Sequence, residues 1–255
     1  MFLLRKVRYR MANKQVITVW GSPGSGKTLT SIKIARELAA RKKNVVVVLC
    51  DSETPAVPLV VPDAKGVQSL GNLLSMPTFN QISVFQHFIP VGKNLSLLGY
   101  LLGENEKTWP EYDISRAKEL IALLRNIADF VVIDCPHHLL SSVMTAAALE
   151  DADLVLRVVN ADPKSLIFIK SQRSLLQDPR FRFDQHIRII NNVLPKQDAN
   201  TYEDVFGGKT YILPHLPTLQ MQYQEARLME PVTGKEGRLY EPRIKTIVQE
   251  EICNE

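Results

Sequence analysis

Cysteine is scarce in this sequence, and the scarcity excludes several kinds of site. The three cysteines, Cys50, Cys135 and Cys253, lie far apart and form no C-x-x-C pair. A disulfide scaffold, a structural zinc site or an iron–sulfur cluster needs clustered cysteines. The adjacent His137 and His138 lack metal-ligand spacing and indicate a surface loop. We therefore expect a cytoplasmic protein without a centre of these kinds.

Long hydrophobic runs are also missing. No apolar stretch reaches the roughly 18 residues that a membrane-spanning helix needs. The opening residues, MFLLRKVRYR, do not resemble a secretory signal, because charges follow their short apolar stretch at once. Apolar residues nevertheless make up 45% of the chain, which is enough for a sizeable core.

Positive charge is concentrated at the start of the sequence. The chain has 31 basic and 27 acidic residues, and the excess equals the basic residues among the first ten: Arg5, Lys6, Arg8 and Arg10. Met11 would be an ordinary start just before the first apolar run. We expect residues 1–14 to be a basic extension or a mis-assigned start and 15–255 to be one domain. The alternative is a basic tail that contacts anionic lipid or nucleic acid.

Apolar runs alternate with helical patterns along the chain, which predicts a doubly wound α/β fold with a mostly parallel sheet and helices on both faces. The predicted strands are 15–20, 45–49, 130–134, 154–159, 187–190 and 211–213, and the clearest helices are Leu29–Ala40 and Ser115–Ile127. Weaker patterns predict a short helix at 69–74 and two strands around a Gly-Lys turn within 82–100. Two terminal helices are expected, Leu219–Met229 and Pro242–Ile252, with Pro242 in a first turn.

Residues 21–28 read GSPGSGKT and lie between the first predicted strand and the first predicted helix. Glycines let successive backbone N–H groups turn toward phosphate oxygens, and the helix N-terminus adds positive potential. In this pattern Lys27 reaches the β- and γ-phosphates, and Thr28 offers its hydroxyl to Mg²⁺. The segment predicts a site for a nucleoside triphosphate with magnesium. Its contacts would come from Gly21, Gly24, Ser25, Gly26, Lys27, Thr28 and Leu29.

Aspartates close two of the predicted strands. Asp51 follows VVVVLC, and Asp134 ends FVVID. An unpaired charge is costly to bury, so a carboxylate at the end of an apolar strand favours a functional position beside the phosphate loop. Magnesium at such loops is held largely through water by carboxylates like these. Thr28, Asp51 and Asp134 are therefore the expected metal-binding residues.

These segments together resemble the MinD/ParA family of P-loop ATPases. The segments that carry the resemblance occur in the family's order over roughly residues 15–230: GSPGSGKT, VVVVLCDSE, DFVVIDCP, LEDADLVLRVV, RIINNVLP and ILPHLP. Within the family they most resemble the TadZ/CpaE group, which works with pilus assembly and type IV-like secretion. The resemblance implies ATP and Mg²⁺ as ligands, an ATP-dependent homodimer and a protein partner in a pilus, secretion or conjugation apparatus.

The resemblance also implies roles for individual residues. Asp51 and Glu53 match the acidic pair that positions magnesium and the attacking water, with their roles not distinguished, and Asp134 matches the residue that senses the γ-phosphate. Asn191 matches the asparagine at the purine edge, with Asn192 as the rival. Pro214 belongs to the loop beside the base. The catalytic set would be Lys27, Asp51, Glu53 and Asp134.

The sequence departs from the family at one position. The family has a second lysine one residue after the first glycine, where it stabilises transition-state charge across the dimer, and this chain has Ser22. Losing such a cation lowers phosphoryl-transfer rates by about 10³-fold or more. We expect ATP hydrolysis to be weak or to depend on a partner. A non-hydrolysing nucleotide-binding scaffold is the alternative.

A DNA-partition ATPase is a further alternative. Its basis is a possible basic patch formed by Lys170, Arg173, Arg180 and Arg182, although a solvated helix face explains these residues more simply. The final residues end acidic and do not resemble the basic membrane helix of MinD-type members.

Overall fold

The computed structural model describes residues 15–64, 66–199, 202–203, 206 and 210–253. The N-terminal segment 1–14, expected to be a basic extension, lies outside the described residues. No helix within the described residues is long and apolar enough to cross a membrane.

Eight strands form one sheet in the order β3-β4-β2-β5-β1-β6-β7-β8. Every neighbouring pair is parallel except β3 with β4. The strands are β1 Gln15–Gly21, β2 Val45–Leu49, β3 Ile89–Gly92, β4 Leu95–Gly99, β5 Phe130–Asp134, β6 Leu154–Asn160, β7 Ile187–Val193 and β8 Thr210–Pro214. The doubly wound, mostly parallel sheet is confirmed.

Helices cover both faces of this sheet. They are α1 Lys27–Ala40, α2 Leu70–Ser75, α3 Gln81–Gln86, α4 Ile114–Ile127, α5 Val143–Asp151, α6 Pro163–Leu176, α7 Pro217–Gln224 and α8 Gly234–Ile247. Buried side chains of α2 to α6 pack on one face, and those of α1, α7 and α8 on the other. β2 is buried along its whole length because it is covered on both sides, which explains its continuous run of valines.

The prediction for 82–100 was partly wrong. Residues 81–86 form helix α3, and the two expected strands begin only at Ile89 and Leu95. The side chain of Asn80 starts α3 by accepting hydrogen bonds from the N–H groups of Ile82 (2.9 Å) and Ser83 (3.1 Å). This N-cap satisfies donors that a helix start leaves free, and it overrides the β propensity of the apolar residues.

The two terminal helices also differ from their predicted bounds. Helix α7 ends at Gln224, and Ala226 has a φ of 54°, a left-handed conformation that stops the helix. Pro242 lies inside α8 instead of in its first turn. Pro242 and Arg238, the residue one turn before it, are both exposed. The Arg238 carbonyl that loses its intrahelical donor can therefore be hydrated, which lowers the cost of the proline.

Candidate functional site

The loop between β1 and α1 depends on glycine at both of its ends. A Cβ atom on Gly21 would lie 1.8 Å from the carbonyl oxygen of Val158 in β6, so no side chain fits. Gly26 precedes α1 with a φ of 80°, and a Cβ there would lie 2.4 Å from Nδ2 of Asn191. These constraints place the loop at the carboxyl end of the central strand, tight against β6 and β7.

Lys27 folds back over this loop. Its Nζ donates a hydrogen bond to the carbonyl oxygen of Ser22 at 3.0 Å, and the hydroxyl of Ser25 donates to the same oxygen at 2.8 Å. Burial lowers the pKa of Lys27, while the carboxylates of Asp134 and Asp51 oppose that shift. The ammonium is thus held against the loop by a backbone carbonyl of the loop itself.

The structure brings Thr28 and Asp134 together. The Thr28 hydroxyl donates to Oδ2 of Asp134 at 2.6 Å, and the Ser31 hydroxyl lies 3.1 Å from Oδ1. Asp134 is only 3% exposed. Burial raises its pKa to about 6, although the bonds from Thr28 and Ser31 and the charge of Lys27 favour the ionised form. These oxygen atoms are ligands of the kind that Mg²⁺ prefers.

The segment after β2 supplies the other two acidic residues. Oδ1 of Asp51 accepts hydrogen bonds from the N–H groups of Glu53 (3.0 Å) and Thr54 (2.8 Å), which fixes the turn. Oε1 of Glu53 lies 3.2 Å from Nε2 of His138, in the segment after β5. Burial, then the neighbouring charges of His138 and Lys27, lowers the pKa of His137. The segments that follow β2 and β5 therefore meet beside the loop.

A cavity of about 860 Å³ opens over these groups, within the size range of ligand sites. Residues 23–29, Asp51, Glu53 and Asp134 line one end. Asn192 and residues of α7, including Leu219 and Tyr223, line the other. The lining thus combines polar groups of the loop and the carboxylates with the apolar side chains of Leu216 and Leu219.

The two adjacent asparagines of β7 have different surroundings. Asn191 is 1% exposed, and its Nδ2 donates to the carbonyl oxygen of Ser25 at 2.8 Å. Asn192 lines the cavity, and its Nδ2 donates to Oδ1 of Asn160 at 3.2 Å. Pro214 ends β8, and the next two residues, His215 and Leu216, line the cavity. Asn191 therefore supports the loop from below, and Asn192 faces the space above it.

Ser22 points away from the cavity. It is 1% exposed, its hydroxyl lies 2.7 Å from that of Ser165 in α6, and its N–H donates to the carbonyl of Val158 at 3.1 Å. Among the described residues that line the cavity, Lys27 is the sole lysine or arginine.

Two further residues, Ser31 and Asn160, lie at the loop and were not among the site residues predicted from the sequence. Ser31 follows Lys27 by one helical turn, a spacing that places it on the same face of α1. Asn160 ends β6 as Asp134 ends β5, and its Nδ2 donates to the carbonyl of Gly24 at 3.3 Å. Asn160 could have been predicted in the same way as Asp134, because it is also a polar residue at the end of an apolar strand.

The basic residues considered as a DNA patch are largely engaged within the chain. Arg180 pairs with Glu150 and Asp178, both at 2.8 Å. Arg182 donates to the carbonyl oxygens of Glu150 and Ala152. This leaves Lys170 and Arg173 on the exposed side of α6, which is a weak basis for binding nucleic acid.

Comparison with solved structures identifies the fold. The septum site-determining protein MinD complexed with Mg-ADP, from Pyrococcus horikoshii OT3, superposes with a TM-score of 0.74 over 94% of this chain and 98% of its own, at 17% identity. The fold is that of the MinD and ParA-family ATPases. A ParA family ATPase from Chlorobium tepidum TLS gives a TM-score of 0.75 over 92% and 98% of the two chains at 16% identity.

A third similar structure is the MinC:MinD cell division protein complex of Aquifex aeolicus. It gives a TM-score of 0.71 and 17% identity, and covers 93% of this chain and 97% of that one. No protein-family model and no curated protein matches the sequence. At these identities the similarity establishes the shared fold.

Proposed function

We propose that this chain binds ATP with Mg²⁺ in the 860 Å³ cavity and acts as a nucleotide-dependent switch. The observation that carries the proposal is the hydrogen bond between Nζ of Lys27 and the carbonyl of Ser22, above the glycine loop at the start of α1. A triphosphate would accept from this ammonium and from the loop amides, where the helix N-terminus favours negative charge.

Magnesium fits the oxygen groups beside the loop. Thr28 and Asp134 already contact each other at 2.6 Å, and the carboxylate of Asp51 lines the same end of the cavity. Mg²⁺ keeps several waters and takes few protein ligands when it binds with a nucleotide. Within the described residues no group of three His, Cys, Asp or Glu could hold a metal ion, which agrees with an ion that enters together with phosphates. Bound there, the ion would neutralise phosphate charge.

We assign the base contact to Asn192 in preference to Asn191. Asn192 lines the cavity, whereas Asn191 is buried and donates to Ser25 below the loop. An amide both donates and accepts, so it suits the N6 and N7 edge of adenine. The apolar Leu216 and Leu219 beside it would pack against the ring.

Nucleotide state would be transmitted through the segments after β2 and β5. Glu53 and His138 bring these segments within 3.2 Å of each other, and both line the cavity near Lys27. A γ-phosphate with its Mg²⁺ would reorder them, as in other switch proteins. We propose that the ATP form is a face-to-face homodimer that recruits a protein partner. The assignment of that partner to a pilus, secretion or conjugation apparatus rests on the sequence resemblance.

A second candidate is a nucleotide-binding scaffold that does not hydrolyse ATP. The burial of Ser22 against Ser165 favours it, because a hydroxyl in that place offers no charge to a transition state. Phosphoryl transfer depends on cations at the transferring group, and Lys27 is the one lysine or arginine in the described lining of the cavity.

Titration calorimetry with ATP and Mg²⁺ tests binding. We expect wild type to bind and Lys27→Ala to bind at least about 100-fold more weakly, because it loses charged hydrogen bonds to the phosphates. Lys93→Ala is the matched control, since Lys93 is exposed in the β3–β4 turn and should leave affinity unchanged. Equal affinity of all three proteins would refute the proposed site.

Light scattering then separates the switch from the scaffold. A mass that doubles with a slowly hydrolysed ATP analogue, but stays monomeric with ADP, supports the switch. An unchanged mass with both nucleotides contradicts the switch, and the absence of phosphate release from bound ATP would then support the scaffold.

A further inference from the structure

A smaller crevice lies beside the nucleotide cavity, between the segments that follow β2, β4 and β5. Its volume is about 300 Å³, at the lower end of the range for ligand sites. Asp51, Glu53 and His138 line both the crevice and the nucleotide cavity. A ligand in the crevice would therefore lie against residues that also border the nucleotide.

The segment after β4 gives the crevice an aromatic lining, formed by Tyr100, Trp109 and Tyr112. The indole of Trp109 packs on α2, where a Cβ atom on Gly71 would lie 2.0 Å from its Cδ1. Its Nε1 donates to Oε1 of Glu104 at 3.0 Å, and Oε2 of Glu104 accepts two further hydrogen bonds. The hydroxyls of Tyr100 and Tyr112 lie 3.3 Å apart. Contacts within the chain thus hold the rings in place without a ligand.

The lining is also acidic. It includes four carboxylates, those of Asp51, Glu53, Glu106 and Glu111. Among the described residues that line the crevice, Lys107 is the sole lysine or arginine, and its Nζ lies 3.3 Å from Oε1 of Glu111. The basic side chains of the lining thus match only one of the four carboxylates.

Aromatic rings beside carboxylates suit an organic cation, and a guanidinium in particular. A cation is attracted to the face of an aromatic ring. A planar guanidinium can stack there and also bind a carboxylate through two parallel hydrogen bonds, whereas an ammonium acts as a point charge. The volume of the crevice suits one long side chain.

We propose that this crevice docks an arginine side chain of a protein partner. The guanidinium would stack on the aromatic lining and pair with the exposed carboxylate of Glu106. The proposal gives a chemical character to the partner of the proposed switch, and it rests on that function for the role of the partner. Binding of the cation itself requires no nucleotide.

Two blocked five-residue glycine peptides are the probes, one with a central arginine and one with citrulline, which lacks the charge. The chain has two tryptophans, Trp109 in the crevice and the fully buried Trp20. Their indole N–H signals in NMR spectra of the full chain therefore report on the crevice and on the core. We expect the arginine peptide to shift the Trp109 signal saturably and leave the Trp20 signal unchanged. It should bind at least about tenfold more tightly than the citrulline peptide.

Substitutions in the lining test the charge and the rings separately. Glu106→Lys should weaken binding of the arginine peptide about 3- to 10-fold, because repulsion replaces attraction at an exposed position. Asp63→Lys makes the same change of charge at an exposed position outside the lining, and it should leave the affinity unchanged. Tyr112→Leu should weaken binding about 3- to 30-fold by removing a ring, whereas Tyr112→Phe should retain it. If Tyr112→Leu does not fold, Glu106→Lys carries the test.

The nucleotide provides a further arm of the experiment. The first titration contains no nucleotide and tests the crevice alone. With a slowly hydrolysed ATP analogue and Mg²⁺, the arginine peptide should bind about fivefold more tightly or better, the lower limit for coupled sites, since the switch recruits its partner in the ATP form. Equal affinity in both states would overturn the role of the crevice in the switch.

Three results would overturn the crevice itself. They are a Trp109 signal that does not respond to the arginine peptide, equal binding of the citrulline peptide, and equal affinity of Glu106→Lys and Asp63→Lys. Failure of the nucleotide proposal is detected separately, by the calorimetry with ATP and Lys27→Ala, which involves no peptide.

Discussion

The hydroxyl of Ser22 lies 2.7 Å from the hydroxyl of Ser165, so the glycine loop is bonded to the first turn of α6. The position that carries a lysine in the MinD/ParA family thus serves here as an internal contact. A longer side chain has no room at this place, because Ser22 is 1% exposed. The serine is part of the packing of the loop.

We predict that Ser22→Lys will not restore fast ATP hydrolysis. A lysine must displace the buried contact with Ser165, and overpacking of this kind lowers stability by about 1–3 kcal/mol. Turnover should stay within a few-fold of wild type while the thermal midpoint falls. Ser22→Ala, which only removes a hydroxyl, should lose about 1 kcal/mol. A large gain in turnover by Ser22→Lys would show that the side chain can reach the nucleotide.

Asp134→Asn should stabilise the nucleotide-free protein at neutral pH. Burial raises the pKa of Asp134 from 3.8 to about 6, so the folded state retains a proton that the unfolded state releases. The protonated carboxyl of Asp134 therefore contributes to the free energy of unfolding below pH 4, and this contribution is lost as the pH rises through 6. The variant avoids that loss, which is at most about 3 kcal/mol. In urea unfolding, the free energy of unfolding of the variant should exceed that of wild type by an amount that grows between pH 4 and 7.

The same substitution should abolish Mg²⁺-dependent nucleotide binding, because a neutral amide is a poor magnesium ligand. Asp63→Asn, at an exposed loop position, is the control and should change neither property. A variant that is less stable than wild type at pH 7, or that keeps the Mg²⁺ effect, would contradict this assignment of Asp134.

Asn191→Ala and Asn192→Ala should have different effects. The first leaves the buried carbonyl of Ser25 without its donor and should reduce the free energy of unfolding by about 1–3 kcal/mol. The second removes a group that lines the cavity and should weaken the preference for ATP over pyrimidine triphosphates with little loss of stability. Unfolding curves and competition binding measure the two effects. The opposite pattern would place Asn191 at the base.

Much of the fold could be predicted from the sequence because burial on both faces imposes a continuous β-branched pattern, as in Val45–Leu49. Local capping was harder to foresee. Asn80 starts α3 where the apolar residues alone favoured a strand, and an exposed position allowed Pro242 inside α8.

The phosphate loop could be recognised because its glycines follow from backbone sterics, whereas side-chain directions depend on the tertiary structure. Adjacent residues of a strand point to opposite faces, so the sequence could not decide between Asn191 and Asn192. It also could not reveal that Ser22 faces α6, because that contact depends on how the loop packs against the helix.

The buried ammonium of Lys33 connects α1 to α7 and to the segment that follows α7. Its Nζ donates to Oε1 of Gln222 (2.6 Å) and to the carbonyls of Leu228 (2.9 Å) and Glu230 (2.6 Å). Gln222 belongs to α7, whose residues Leu219 and Tyr223 line the cavity. Burial, aided by the charge of Arg36, lowers the pKa of Lys33 from 10.5 to about 7.

The unfolded chain therefore binds this proton more tightly than the folded protein between about pH 7 and 10.5. Stability from this group rises with pH across that window, by at most about 1.4 kcal/mol per pH unit. Lys33→Met leaves three acceptors without their donor, so its free energy of unfolding should be lower than that of wild type. Because the variant cannot titrate at this position, we expect the difference measured by urea unfolding to widen from pH 7 to 9. Lys93→Met, at an exposed site, should follow the wild-type curve. A deficit independent of pH would mean that Lys33 stays charged throughout and acts only through its hydrogen bonds.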